Sequence, residues 1–331
     1  MSGVRVPQGP PFEPDSVSHR TERSGGVNPG AVVALVIAAT LWGTTGTAAS
    51  FFPEDVRPIA VGAATMGIGG MLLLLFARRR ALAVLRHRAQ RRWVALGALG
   101  VVVYPLAFYS GMELAGVAVG NVVALGSGPV FAALLEWLLE RRPLSRRWVI
   151  ATAFALLGIA ALATSRAILG DGASEEGRPG DAPVLGIAVA LLAGLAYALY
   201  TYASGRAMAT GGTSRGVMAA MFGLGGALLL PVLLVTGAPL LQSPATVGIA
   251  GYLVLGPMLL AYLLFGLGVR ELRSSHVTTI TLLEPVVATV LAVLVVGERL
   301  APLGWGGVVL ILVGLSVLVS ARRTPLSSER L

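Results

Sequence analysis

The sequence predicts an all-α integral membrane protein of ten transmembrane helices, arranged as two inverted five-helix repeats. Three observations carry this expectation. Of 331 residues, 55% are hydrophobic and 12% charged, with a mean hydropathy of +0.80. A soluble domain carries about 25% charged residues, so this chain lacks the polar material to coat a globule. Its apolar residues come in runs of about twenty, the length a helix needs to cross roughly 30 Å of hydrocarbon. Finally, the chain contains itself twice, at offsets of 155 to 158 residues.

The duplication is read from matches that keep their order. Trp42-Gly43-Thr44-Thr45 lies against Tyr197-Ala198-Leu199-Tyr200, and Met66 to Leu73 against Phe222 to Leu229. Glu113-Leu114 then meets Glu271-Leu272, Pro129 meets Pro285, and Glu140-Arg141 meets Glu298-Arg299. One match could arise by chance in a Gly-, Ala- and Leu-rich chain; an ordered series at nearly one spacing is a duplication.

In chain order, residues 1–30 are rich in Pro, Gly, Ser and charge and predict a disordered cytoplasmic tail. They show no apolar core of a cleaved signal peptide. The first repeat, 31–165, holds apolar segments at 31–52, 58–77, 93–111, 118–139 and 148–165. A polar external linker, 166–182, separates it from the second repeat, 183–320, with segments at 183–203, 216–235, 246–268, 277–297 and 303–320. Residues 321–331 form a second cytoplasmic tail. Unbroken apolar runs exclude a barrel, whose strands would be short and alternating.

Orientation follows from arginine, since lysine is absent from the chain. With the N-terminus inside, 21 of the 25 arginines face the cytoplasm, leaving Arg57, Arg166, Arg178 and Arg299 outside. Both termini are then cytoplasmic. Five crossings per repeat make the second copy enter the membrane from the opposite side. The +9 charge is accordingly a topology signal and not a nucleic-acid-binding one. The run Arg78 to Arg92 fits either a basic helix on the inner leaflet or a solvated loop.

Several chemistries are excluded. No cysteine is present for a disulfide or thiolate metal site, and three scattered histidines make no metal cluster. Without lysine there is no phosphate-binding loop for ATP hydrolysis. The segments Gly67-Ile68-Gly69-Gly70 and Gly223-Leu224-Gly225-Gly226 predict close helix packing. A membrane enzyme would need convergent acids, histidines or metal ligands, and the spans hold only Glu136 and Glu284.

The Trp42-Gly43 pair, the runs from Pro129 to Arg141 and from Glu284-Pro285 to Arg299, and the small-residue helices after each resemble one known pattern. It is that of the ten-helix, EamA-like kind within the drug/metabolite transporter superfamily, and the resemblance covers about residues 31 to 321. It implies a secondary carrier of the cell (inner or plasma) membrane, most often exporting amino acids, other metabolites or toxic small molecules, with no ATP, cofactor or catalytic residue. Many relatives carry an arginine in helix 2 where this chain has Ala64-Thr65-Met66, which argues against anion binding here. The partners implied are a small-molecule substrate and the lipid bilayer; a homodimer stays open. A passive channel and a non-transporting receptor or scaffold are the alternatives.

Polar groups in hydrocarbon are costly and should face a wet cavity or a neighbouring helix. Glu284 is expected either to bind a cation or proton or to bond groups freed by Pro285; its first-copy equivalent, Gly128, carries no acid. Glu136, near Glu140 and Arg141, is expected to snorkel or form a salt bridge. Pro105, Pro129, Pro257 and Pro285 fall in equivalent helices of the two copies, and are expected to mark helix breaks around a central site. The candidate substrate-lining residues are Trp42 and Thr45 with Tyr197 and Tyr200, Tyr104 with Tyr262, and Asn121 and Ser127 with Thr278 and Thr281. Aromatic faces and hydroxyls suit a ligand with an apolar body and a polar or cationic head. Trp93, Trp137, Trp148 and Trp305 are expected in the interfacial belt.

Overall fold

A computed structural model describes residues 29–141, 146–170, 182–271, 280–281 and 283–319, and among them every regular element is helical. The first copy comprises α1 (Pro29–Gly43), α2 (Thr45–Ala49), α3 (Pro58–Phe76), α4 (Arg78–Arg86), α5 (Arg88–Ala115), α6 (Val117–Glu140) and α7 (Arg146–Gly170). The second comprises α8 (Pro183–Ala209), α9 (Ser214–Thr236), α10 (Pro244–Leu253), α11 (Ala261–Glu271), α12 (Leu283–Leu291) and α13 (Pro302–Val319). Two π-helical segments intervene, Val254–Leu260 between α10 and α11, and Ala292–Val296 after α12. Residues 1–28 of the predicted disordered tail, 171–181 of the external linker and the C-terminal tail lie outside the described residues; residues 29–30 and 166–170 are helical.

Seven helices among the described residues are long and apolar enough to cross a membrane; Val149–Leu162, Leu283–Val296 and Pro302–Gly314 are shorter apolar stretches. Leu234 and Val235 at 84% exposure, with Leu294 at 77%, show that the rim is apolar. Such a surface is stable in lipid and not in water. Alanines and glycines fill the interior, so helix backbones come close without large side chains between them.

The glycine segments do what their sequence predicts. A Cβ on Gly67 would lie 3.6 Å from Leu229 and 3.9 Å from Leu230, while one on Gly223 would meet Leu74 at 2.7 Å. Residue numbers rise on α3 as they fall on α9, so the two helices run antiparallel. The contacts Gly67 to Leu230 and Leu74 to Gly223 exchange under the repeat offset of 156, so each copy presents the same patch to the other. The α7 and α13 helices repeat the arrangement. A Cβ on Gly158 would lie 2.6 Å from Gly307 O, and one on Gly314 2.8 Å from Ala151 O.

The basic run after α3 is a helix, and the loop alternative falls away. Ala81 and Val84 of α4 are buried, and Val84 and the Arg80 carbonyl abut Gly216 at the start of α9. The arginines from Arg78 to Arg92 all point outward.

The prolines behave differently in the two copies. Pro105 and Pro129 lie inside α5 and α6, which continue through them, so neither interrupts its helix. One missing donor is tolerated where neighbouring helices hold both flanks. Pro257 sits in a π-helical segment, and Pro285 lies in a helical stretch that includes residues 280–281 and 283–291. Both π-helical segments among the described residues lie in the second copy.

Candidate functional site

The centre of the bundle is built where α1, α5, α8, α11 and α12 converge. In the π-helical segment the N–H of Ala261 turns to Gly256 O, one residue beyond its α-helical partner. The indole Nε1 of Trp42 donates to Pro257 O at 2.9 Å, tying the first copy to this irregular turn of the second. The neighbouring Gly43 explains the rest of the Trp-Gly pair. A Cβ there would lie 2.7 Å from Val287 and 2.9 Å from Glu284 O, so glycine lets α1 close against the α12 backbone beside Glu284.

From Trp42 a chain of rings crosses both copies. Trp42 meets Tyr262 edge-on at 5.3 Å, Tyr262 meets Phe222 at 5.2 Å, and Phe222 meets Tyr200 at 5.5 Å. Tyr200 then packs on Tyr197 at 5.1 Å and on Tyr104 at 5.9 Å. These separations and tilts are the favoured edge-to-face arrangements of aromatic rings. Tyr200 and Phe222 are buried, whereas Trp42, Tyr104, Tyr197 and Tyr262 keep part of their surface accessible.

Glu284 stands among these rings. Its carboxylate interacts electrostatically with Tyr104, Tyr197 and Tyr262, and the residue is half-buried. Among the described residues it makes no hydrogen bond and no ion pair. The equivalent position in the first copy is filled: a Cβ on Gly128 would lie 2.8 Å from Cδ1 of Tyr197, so that ring occupies the place where a second acid would stand.

The other predicted residues scatter. Ser127 donates to Ala124 O and presses into α8 at Gly194, so it serves packing between α6 and α8. Asn121 is fully buried, and its amide has no partner among the described residues. Thr45 and Thr281 are half-buried, and Thr278 lies outside the described residues. Pro105 and Pro257 are buried within their helices. Glu136 is exposed. Trp137 and Trp305 are also exposed, as a lipid-facing belt requires. Trp93 instead packs on Tyr202, with Arg92 and Arg206 over its ring at 5.3 and 5.4 Å.

Three features escaped the sequence reading. Thr44, not Thr45, reaches across to α10, its hydroxyl 2.6 Å from that of Tyr252. The pair floors an open groove of about 610 Å³ lined by Thr47, Ala48, Phe51, Gly248, Ile249 and Leu291. Phe222 completes the ring chain from a position where the first copy has Met66. Glu298 accepts from the backbone N–H groups of Val117 and Ala118 and so caps α6 across the copies. Its equivalent, Glu140, accepts from Tyr202 and Arg206, each at 3.1 Å. Only the pairing of Glu140 with Glu298 in the repeat hinted at a shared role.

Known proteins resemble this chain over most of its length. The model of the EamA-like transporter family matches twice, over residues 29–164 and 184–320. A protein of Bacillus subtilis (strain 168) bearing the name uncharacterized transporter YwfM is 34% identical over 300 residues, spanning 89% of this chain and 95% of that one. An uncharacterized transporter of Clostridium kluyveri is 31% identical over 142 residues, 42% of this chain and 45% of its own. One solved crystal structure superposes with a TM-score of 0.56 over 87% of this chain and 95% of its own; at 24% identity the likeness is one of fold.

Proposed function

The chain belongs to the EamA-like transporter family, and from that premise we propose that it is a secondary carrier exporting small amphipathic metabolites by alternating access. The compounds in view are amino acids or similar molecules, or toxic small molecules. Ten crossings in the cell membrane, both termini cytoplasmic, would set two inverted five-helix halves around a shared midplane site.

One observation carries this reading. Glu284 and the rings of Trp42, Tyr104, Tyr197 and Tyr262 form an accessible polar and aromatic centre, to which helices of both copies contribute. The antiparallel, exchangeable contacts between α3 and α9 support the inverted arrangement, since equivalent helices that meet across an axis in the membrane plane must oppose each other. Export is what the family resemblance implies. Among the described residues no second acid and no histidine is seen beside the Glu284 carboxylate, whose neighbours are tyrosine rings.

The test starts from medium of cells with and without the protein, compared by metabolomics to choose a compound. That compound should then show saturable uptake into proteoliposomes of the full chain, accelerated by the same compound inside. Linear, unsaturable flux would make the protein a channel. An absence of flux for every compound enriched in the medium would favour a receptor or scaffold.

A further inference from the structure

We propose that the central site is selective for organic monocations, with an ammonium group beside Glu284 and an apolar body lying among Trp42, Tyr104, Tyr197 and Tyr262. This rests on the carrier reading and narrows its substrate class.

Charge balance is the first argument. A lone carboxylate inside an apolar bundle needs a counter-charge or a proton. Glu284 has no ionic partner among the described residues. Among the described residues, the arginines of α5 and α8 (Arg88, Arg91, Arg92 and Arg206) sit toward one end of each helix, nine or more residues from Tyr104 and Tyr197. The groups facing the carboxylate are tyrosine hydroxyls, which do not neutralise it. A ligand ammonium can supply the positive charge in place of the proton the carboxyl would otherwise hold.

The rings give the second argument. Aromatic faces attract cations through their quadrupole and repel anions. Trp42, Tyr104, Tyr197 and Tyr262, contributed by both copies, each keep part of their surface accessible around Glu284. Stoichiometry follows from Gly128. Tyr197 fills the position equivalent to Glu284, so the site offers one negative charge and matches one positive charge.

The experiment measures binding to the purified full-length chain in nanodiscs, using three probes of similar body: radiolabelled phenyltrimethylammonium, benzyl alcohol and benzoate. The cation should bind saturably and at least tenfold more tightly than the other two. Glu284→Gln, nearly isosteric, should weaken it at least tenfold, while Glu284→Asp retains part of the affinity. Equal or tighter binding of benzoate or benzyl alcohol, no binding of the cation, or undiminished binding by a folded Glu284→Gln variant would each overturn the proposal. Should the Gln variant fail to fold, the three-probe comparison on the unmodified protein decides alone. Counterflow of phenyltrimethylammonium separates the two readings. Binding without counterflow removes the carrier and leaves the site; counterflow of a neutral compound without cation binding does the reverse.

Discussion

Two seams of the molecule are equivalent in the repeat and different in the fold. Where α5 meets α8, backbone lies against backbone. A Cβ on Gly100 would stand 2.7 Å from Ala196 O, one on Gly111 3.0 Å from Ala190 N, and one on Gly186 2.7 Å from Ala115 Cβ. The equivalent seam sets α1 and α2 against α10 and α11. There Gly268 packs on Leu35, but Gly248 and Gly251 face open space, and the seam parts into the groove floored by Thr44 and Tyr252. The sequence explains the difference position by position. Gly97, Gly100 and Gly111 of α5 become Leu255, Met258 and Val269 in the second copy, and Ala190 and Ala196 of α8 have Leu35 and Leu41 as first-copy equivalents. Glycine and alanine admit close backbone approach, and larger side chains hold helices apart. On the proposed carrier reading, the sealed seam and the parted one would be the two gates of an alternating-access cycle.

The comparison can be broken most forcefully at Gly100. Gly100→Val would drive its side chain into the backbone of α8, which cannot give way. A loss of roughly 1–3 kcal/mol or more is expected, read as a fall in melting temperature and a non-monodisperse elution profile. Gly251→Val, at the open seam, should stay within about 0.5 kcal/mol of the parent. Equal effects would refute the distinction between the seams.

Accessibility sharpens the same contrast. The chain has no cysteine, so single cysteines report cleanly. Ala48 lines the groove, whereas its equivalent Ala203 is fully buried. An impermeant maleimide should label Ala48→Cys at least about tenfold faster than Ala203→Cys, the lag reflecting the opening that the sealed seam requires. Comparable rates would mean that the groove is closed in the membrane.

The smallest effect lies at the ends of the copies. Glu298→Gln weakens a charged cap on α6 and should cost about 1 kcal/mol in thermal stability. Glu140→Gln removes a partly exposed link to Arg206 and Tyr202, at 42% and 16% side-chain exposure for the ion pair, and should cost less, within about 0.5 kcal/mol. A larger loss at Glu140 would reverse the assigned roles.

Much of this was legible beforehand. The apolar runs, the duplication and the glycine faces of α3 and α9 are local or periodic signals, and the helices follow them. The repeat-matched Trp42 and Tyr197, Tyr104 and Tyr262, with Tyr200, meet in one ring chain. Asn121, expected to line the site, is fully buried. Thr44 reaches α10 where the sequence points to Thr45, since a sequence does not tell which of two adjacent hydroxyls a break after α1 turns towards α10. Pro105 and Pro129 do not interrupt α5 and α6, which run through them.

What the sequence determined by itself is the lipid environment, the helical class and the two copies, because hydropathy and repetition need no knowledge of neighbours. What only the tertiary structure decided is which equivalent positions became unlike. Tyr197 fills the seat opposite Glu284, Glu298 reaches the N-terminus of α6 across 180 residues, and one seam seals while the other parts. Those outcomes depend on distances between helices, and such distances are set by side chains far apart in the chain.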